Sequence, residues 1–412
     1  VKLVCSECGA NAAPDAIFCA TCNGLLAFEA PANRTFDPQR ALARRMSNDL
    51  RDRSGVWRFR ELLPEIPFEH IVTLRENDVP LYDGPLGADY AGVKRLTYMH
   101  LGMNPTASFK DAGMTAAISR AKAMGAKVAV CASTGNTSAS LSAYAARAGI
   151  KAVVLVPSTG ISESKVAQTL DYGATVVAID GDFDAALEQV RQMDPSRVAI
   201  VNSVNPYRIE GQKCAAFVLL EQREWKVPDW LVVPGGNLGN SSAYGKGFRE
   251  AKELGLIDRL PHLAVIQAAG AAPFSRAWRE KAPLIPVHAE TTATAIKIGA
   301  PASWKKAKSE VEASAGTVSD VSDDLIAEAR AIIGRDGIGC EPASAASLAG
   351  LKRLVAEGTI GRDDDIVLVL TGHVLKDGAY SARYHESSAS YANHILRGVD
   401  PANVIDRLSA RA

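Results

Sequence analysis

From Lys127 onward the chain alternates between short apolar runs and helix-compatible stretches, and this rhythm constrains its fold more than any other feature. Val128–Ala132, Ala152–Val156, Thr175–Ile179, Val198–Val201, Leu231–Val233 and His262–Gln267 read as strands. Ala139–Arg147, Ser164–Asp171, Asp184–Met193 and Gly211–Trp225 read as the helices between them. Strands written as continuous apolar runs are buried on both faces, which predicts mostly parallel sheets covered by helices, an α/β fold. Ile366–Leu370 is a last buried strand, and Ser322–Ile333 an amphipathic helix with Gly334 as its stop. The stretch 281–320 holds three prolines and weaker rhythm, so it reads as loop. In parallel sheets, ligands bind where strands give way to helices at the carboxyl edge.

At 412 residues the chain is too long for one core, and at least two lobes are expected. The 46 basic and 46 acidic residues cancel, so no net field attracts a polyanion and nucleic acid is not an expected partner. No apolar run approaches a membrane span and no charged-then-apolar leader opens the sequence, which makes the cytoplasm the expected location.

Of seven cysteines, Cys131, Cys214 and Cys340 sit among small or apolar neighbours and read as buried free thiols. Cys5, Cys8, Cys19 and Cys22 form two Cys-x2-Cys knuckles, a spacing that presents four thiolates to one zinc ion. Disulfides are the alternative, rare in a cytosolic setting. Four protein ligands leave no open position, so the zinc would be structural. Gly9 and Gly24 follow the two pairs and suit tight turns. The arginine-rich stretch from Pro31 to Arg60 reads as a lead-in helix and connection with a solvated or interface face.

Four segments carry chemistry. Lys110 lies in Met103-Asn104-Pro105-Thr106-Ala107-Ser108-Phe109-Lys110-Asp111, between a proline-containing turn and a helix start. An amine held there can be desolvated and attack a carbonyl. Ser133-Thr134-Gly135-Asn136-Thr137-Ser138 follows the Val128 strand and sets polar groups at a helix N-terminus, where an anion is favoured. Pro234-Gly235-Gly236-Asn237-Leu238-Gly239-Asn240-Ser241 can form a concave nest of backbone N–H groups. It lacks the trailing Lys-Ser/Thr of a nucleotide P-loop and the spacing of a dinucleotide fingerprint, so one compact phosphate fits better. Thr371-Gly372-His373 follows the last strand; His373 is read as a partner for nearby backbone. One lysine, one phosphate nest and small polar loops describe a pyridoxal phosphate site.

These segments, together with Asn202-Ser203-Val204-Asn205-Pro206-Tyr207-Arg208 and Glu341-Pro342-Ala343-Ser344-Ala345-Ala346, resemble the threonine synthases. Those are fold-type-II pyridoxal phosphate enzymes related to the tryptophan synthase β chain, and one branch carries the cysteine knuckles. The resemblance spans nearly the whole chain. It implies two open, mostly parallel sheets: a large cofactor-binding domain over 29–120 and 215–412, a smaller mobile domain over 121–214, and a zinc-ribbon-like module over 1–28. It implies that Lys110 forms the internal aldimine, that Asn136 meets the cofactor's phenolic oxygen, that Gly236, Asn237, Leu238, Gly239 and Asn240 hold its phosphate, and that Thr371 faces the ring nitrogen. Thr137, Asn202, Ser203 and Arg208 match positions that bind the substrate's phosphate. The implied reaction takes O-phospho-L-homoserine and water to L-threonine and phosphate by β,γ-elimination and replacement, in a homodimer.

Three positions depart from the family's common pattern: Ala107 stands where glycine is frequent, Ala112 where arginine, asparagine or leucine is, and Ala300 where asparagine is. Rival readings are a serine or threonine dehydratase, a phosphoserine-using synthase such as cysteate synthase, and a non-catalytic zinc-knuckle binding protein. Arg208 separates the dehydratase from the synthases, because only a phosphorylated substrate needs it.

Overall fold

The structure is a computed structural model that describes every residue except 32, 159–162, 182, 195–196, 388 and 410–412. Its strands are β1 (Lys2–Cys5), β2 (Leu26–Glu29), β3 (Leu81–Asp83), β4 (Arg95–His100), β5 (Val128–Ala132), β6 (Lys151–Pro157), β7 (Thr175–Ile179), β8 (Ala199–Ile200), β9 (Trp230–Pro234), β10 (His262–Ala268), β11 (Thr317–Val321) and β12 (Asp365–Leu370). They form an antiparallel β1–β2 pair, a six-stranded sheet ordered β11-β10-β9-β12-β4-β3, and a four-stranded sheet ordered β7-β6-β5-β8. Only the short β3 runs antiparallel within the larger sheet, and the smaller one is parallel throughout. Every residue of β9 is buried, as are five of six in β12, which is what a sheet covered on both faces requires.

Five helices position the site: α1 (Lys110–Ala123), α2 (Asn136–Ala148), α3 (Pro206–Gln222), α4 (Gly239–Glu253) and α5 (Pro342–Ala356). Helix α3 is buried from Pro206 to Glu221, charged residues included. Its Glu210 and Lys213 join Lys246 and Glu250 of α4 and Arg34 in a paired cluster: Lys213 Nζ stands 2.5 Å from Glu210 and 2.9 Å from Glu250, and Arg34 lies 3.0 Å from Glu250. Pairing and hydrogen bonding are the condition on which such charges tolerate burial.

Glycines let three of these helices approach closely. A Cβ on Gly211 of α3 would lie 1.9 Å from Ala112 O and 3.1 Å from Gly113 Cα of α1. A Cβ on Gly113 would meet Arg208 O at 2.8 Å, and one on Gly247 of α4 would meet Lys213 O at 2.5 Å. Backbone therefore packs on backbone where α1 crosses α3, and the first turns of the two helices, with Lys110 and Arg208, lie side by side.

The N-terminal module is built into this core. Phe28 packs edge-on against Tyr207 of α3 with centroids 4.8 Å apart, and Leu26 is fully buried. Lys246 Nζ donates to Phe28 O at 2.6 Å, and Lys306 Nζ to Leu26 O at 2.6 Å.

Several expectations are corrected. The stretch 281–320 contains a helix, Trp304–Ala313, and most of β11. That helix buries only Ala307 and Val311 among lysines and glutamates, so its apolar stripe is too narrow to stand out in sequence. The helix after β11 spans Asp323–Arg335, passing through Gly334; Gly337, at φ 79°, takes the left-handed turn instead. Helices α2 and α3 begin at Asn136 and Pro206, upstream of their first apolar residues. In the arginine-rich stretch Arg44 is buried and bonded to Glu61 rather than solvated. Among the described residues no helix is long and apolar enough to cross a membrane.

Two glycine substitutions should move stability in opposite directions. Gly211→Ala forces the α1–α3 crossing apart and should cost at least about 1–3 kcal/mol, read as a fall in denaturation midpoint. Gly334→Ala meets nothing within 4 Å on its helix and should stabilise by roughly 0.5–1 kcal/mol. Equal effects at the two sites would contradict the close crossing.

Candidate active site

All the segments expected to carry chemistry emerge at the carboxyl ends of β4, β5, β8, β9 and β12. The lysine turn is strained and tightly held. Ala107 adopts φ 64°, a left-handed conformation that explains why glycine is at home there. Phe109 N–H donates to Thr371 O at 2.9 Å and His373 N–H to Ala107 O at 3.0 Å, so the turn pairs with the loop after β12. Buried Asp111 accepts from Thr106 N–H at 2.7 Å, Thr106 Oγ1 at 2.5 Å and Ser140 Oγ at 2.6 Å, tying the turn to α2. Burial pushes its carboxyl up to about 6 despite those donors.

Lys110 opens α1, half-buried, with Nζ 3.9 Å from the centroid of Phe109. Desolvation lowers its pKa to about 7, helped by the positive charge of Arg208 and opposed by Glu341. An amine there is neutral in a large fraction of molecules at physiological pH, the condition for both nucleophilic attack and proton transfer.

Asn136 begins α2, whose first turn no side chain caps, and its Nδ2 donates to Glu341 Oε2 at 2.9 Å. Thr137 lies half-buried beside it. Thr371 Oγ1 lies 3.1 Å from Glu341 Oε1 and 3.0 Å from Ser344 Oγ. Thus Asn136 and Thr371, more than two hundred residues apart, converge on one buried carboxyl. Gly372 makes room for it, since a Cβ there would stand 2.3 Å from Glu341 Cδ. Glu341, Ser344 and Asp111 have no site role legible in the sequence; the available signal is a carboxyl amid small and apolar neighbours directly before Pro342.

The turn after β9 is a backbone cradle. Leu238 adopts φ 63° with its side chain fully buried, and α4 starts at Gly239 without a side-chain cap. The side chains of the polar residues are committed elsewhere. Asn237 donates to Ser203 Oγ at 2.5 Å and accepts from Ala302 N–H at 2.6 Å, while Asn240 donates to Pro234 O at 3.0 Å. What Gly236 to Asn240 can offer an anion is N–H groups at a helix start.

Arg208 is 1 % exposed. Its Nη1 donates to Val201 O at 3.2 Å, its Nε has no partner, and no carboxylate pairs with it among the described residues. Desolvation draws its pKa down to about 10, which still leaves it charged at neutral pH. A buried, uncompensated guanidinium is costly unless an anion completes it. Ser203 reaches the cradle through Asn237, whereas Asn202 spends its amide on Ala132, donating at 3.1 Å to its carbonyl and accepting at 3.2 Å from its N–H. Buried Ser108 Oγ, two residues before Lys110, also lacks a partner. These orphaned donors and the uncapped cradle fit a phosphorylated cofactor and a second anionic group. His373 accepts from Leu375 N–H through Nδ1, the backbone role expected of it. Ala300 is exposed and Ala112 buried between helices.

The four knuckle sulfurs lie within 4.8 Å of one another, with Cys5–Cys22 at 3.5 Å and Cys8–Cys19 at 3.6 Å. Tetrahedral zinc thiolate bonds of about 2.3 Å set sulfurs about 3.8 Å apart, so the cluster is sized for such an ion. Backbone N–H groups of Cys22 and Thr21 lower Cys19 to about 6. Cys22, although it receives an N–H from Gly24, is driven up to about 12 by the sulfurs of Cys5 and Cys8. Crowded thiolates of this kind need a cation. Gly9 takes the left-handed turn at φ 73°; in the second knuckle Asn23 does so at φ 58°, and Gly24 instead leaves room for the sulfurs of Cys5 and Cys22.

Residues 72–372 match the family described as pyridoxal-phosphate dependent enzyme. The threonine synthase of Methanosarcina acetivorans is 44% identical over 91% of this chain and 92% of its own length. That of Methanocaldococcus jannaschii is 44% identical over 93% and 94%. Among solved structures, threonine synthase from Escherichia coli superposes with a TM-score of 0.69 at 20% identity, covering 99% of this chain and 94% of that one. A threonine deaminase from Solanum lycopersicum gives 0.65 at 17%, covering 88% and 96%. At such identities the two structures speak to the fold alone.

The lowered pKa of Lys110 has a pH signature. In the cofactor-free chain, acetylation of Lys110 followed by mass spectrometry should be suppressed below pH 7 and rise with a midpoint near 7, where the amine loses its proton. Arg208→Gln, by removing the adjacent charge, should move that midpoint upward. A midpoint near the ordinary lysine value of about 10.4 would contradict the desolvated site.

Proposed function

The chain belongs to the threonine synthases, within the pyridoxal-phosphate dependent enzymes, and from that membership we propose that it converts O-phospho-L-homoserine and water to L-threonine and phosphate. One observation carries the choice of substrate: Arg208, buried and without a carboxylate partner among the described residues, lies close enough to Lys110 to depress its pKa. A bidentate guanidinium suits a phosphate dianion, and a dehydratase acting on unphosphorylated serine or threonine would leave that charge uncompensated.

Pyridoxal phosphate, when bound, supplies an aldehyde for an amine and a conjugated ring that takes up charge developing beside the amino-bearing carbon. Lys110 is the residue that would hold it, and its amine is placed to take the proton from the substrate's Cα and to move one from Cβ. The backbone of Gly236, Asn237, Leu238, Gly239 and Asn240 would hold the cofactor's phosphate at the start of α4, Asn136 its phenolic oxygen and Thr371 its ring nitrogen. Arg208, with Thr137, Asn202 and Ser203 from the ends of β5 and β8, would hold the substrate's phosphate and receive it again when it leaves Cγ. Water must be kept from the reacting carbons until that departure, which calls for the lobe built on the four-stranded sheet β7-β6-β5-β8 to close on the larger. Lys376, which donates to Gln168 at 2.6 Å, already bridges the β12 loop and that lobe.

Cys5, Cys8, Cys19 and Cys22 are proposed to bind a structural zinc ion, supported by their spacing and unmet charge. Seven free cysteines suit a reducing, cytoplasmic setting. A homodimer is the proposed assembly; Ile395, Leu396, Ile405 and Leu408 near the C-terminus are exposed apolar residues that a second copy would cover.

Incubating the purified chain with pyridoxal phosphate and O-phospho-L-homoserine should release phosphate and L-threonine one for one; phosphate without threonine would contradict the reading. Lys110→Ala should abolish both products and the visible absorbance of the bound cofactor. Elemental analysis should find one zinc ion per chain, lost in Cys19→Ser, whereas finding disulfides among the four knuckle cysteines would refute the metal site.

A further inference from the structure

The hydrogen bonds around Glu341 can be followed proton by proton. Ser344 Oγ accepts two backbone N–H groups, Thr371 at 2.8 Å and Gly372 at 3.0 Å. With both lone pairs engaged, its own proton has to be donated, and Thr371 Oγ1 at 3.0 Å is a nearer acceptor than Gly372 O at 3.5 Å. Thr371 Oγ1 therefore receives one proton from Ser344. Its second neighbour is Glu341 Oε1 at 3.1 Å, while Glu341 Oε2 accepts from Asn136. Only the proton between Thr371 and Glu341 remains to be assigned.

Two arrangements satisfy these contacts. An ionised Glu341 takes the Thr371 proton, and Thr371 then shows a lone pair to anything in front of it. A neutral Glu341 donates from Oε1, fills the second lone pair of Thr371, and turns the threonine's proton outward. We propose that Glu341 is a positioning residue that works as a neutral acid, directing the Thr371 hydroxyl outward as a donor so that the cofactor's ring nitrogen is held unprotonated. This rests on the reading that Thr371 faces that nitrogen.

The surroundings favour the neutral form. Glu341 is 4 % exposed and forms no ion pair among the described residues. Burial raises its pKa, against the donors Asn136 and Thr371 and the charges of Lys110 and Lys376. Of those cations, Lys110 is itself held near 7 and Lys376 is bonded to Gln168. The carboxyl packs directly against Gly372, where any side chain would displace it.

The test is the ring-nitrogen resonance of holoenzyme reconstituted with 15N-labelled pyridoxal phosphate, with kcat measured alongside. The wild type should show an unprotonated nitrogen. Glu341→Gln, which offers the same donor and acceptor without ionising, should keep that resonance and most of kcat. Glu341→Ala should shift the resonance and lower kcat by roughly 10- to 100-fold, the usual cost of losing an orienting partner behind a functional group. An infrared band of a protonated carboxyl should be present in the cofactor-free wild type and absent from Glu341→Gln. A protonated ring nitrogen in the wild type, or Glu341→Gln as impaired as Glu341→Ala, would overturn the inference. Thr371→Val separates the two levels. If it leaves the resonance unmoved, Thr371 does not face the ring and the underlying reading fails. If it moves the resonance while Glu341→Ala does not, only the role of Glu341 falls.

Discussion

The site depends on one steric constraint, the crossing of α1 and α3 with only backbone between them. Gly211 sits so close to Ala112 and Gly113 that neither helix can slide or rotate without a clash. Because Lys110 opens α1 and Arg208 lies in the first turn of α3, the crossing fixes the amine beside the guanidinium. Each then acts on the other. Arg208 helps keep Lys110 neutral, and desolvation makes Arg208 receptive to an anion. A reactive amine and an anion site follow from one packing contact.

Around that crossing, charge is sorted by whether it has a partner. Glu210, Lys213, Lys246, Glu250 and Arg34 are buried and paired, and they fasten α3 to α4 and to the N-terminal module. Arg208 and Glu341 are buried and form no ion pair among the described residues. The first group holds the helices together and the second is where the proposed function is placed, and burial alone would not separate them. The cysteine module contributes from the far side: Phe28 rests on Tyr207, the residue before Arg208, so the knuckles buttress the helix that carries Arg208.

Much of this was legible in the sequence because parallel sheets announce themselves. Continuous apolar runs located the strands of the smaller sheet within one or two residues at each end, and the carboxyl-edge rule pointed to the loops that bear Asn136, the Gly236 cradle and Thr371; Lys110 stood out by its own proline turn and helix start, since β4 before it did not read as a strand. What stayed hidden was whatever depends on contacts distant in sequence. Nothing local to Gly113 or Gly211 reveals that they touch. Glu341 shows no role in the sequence, because Asn136 and Thr371 reach its carboxyl only through folding. The resemblance implies ligand contacts at Asn237 and Asn202, but it does not reveal that their side-chain amides bond Ser203, Ala302 and Ala132. The helix at Trp304 was missed because a two-residue apolar stripe among charged neighbours carries little periodic signal.

The central claim is that Arg208 is an uncompensated charge reserved for the phosphate of the substrate. Its most direct test is the equilibrium affinity of the holoenzyme for an unreactive phosphonate analogue of O-phospho-L-homoserine, compared between the wild type and Arg208→Leu. Loss of a buried charge-assisted contact should weaken binding by roughly 100-fold or more while the cofactor's absorbance stays unchanged. Equal affinity in the two proteins would contradict the account.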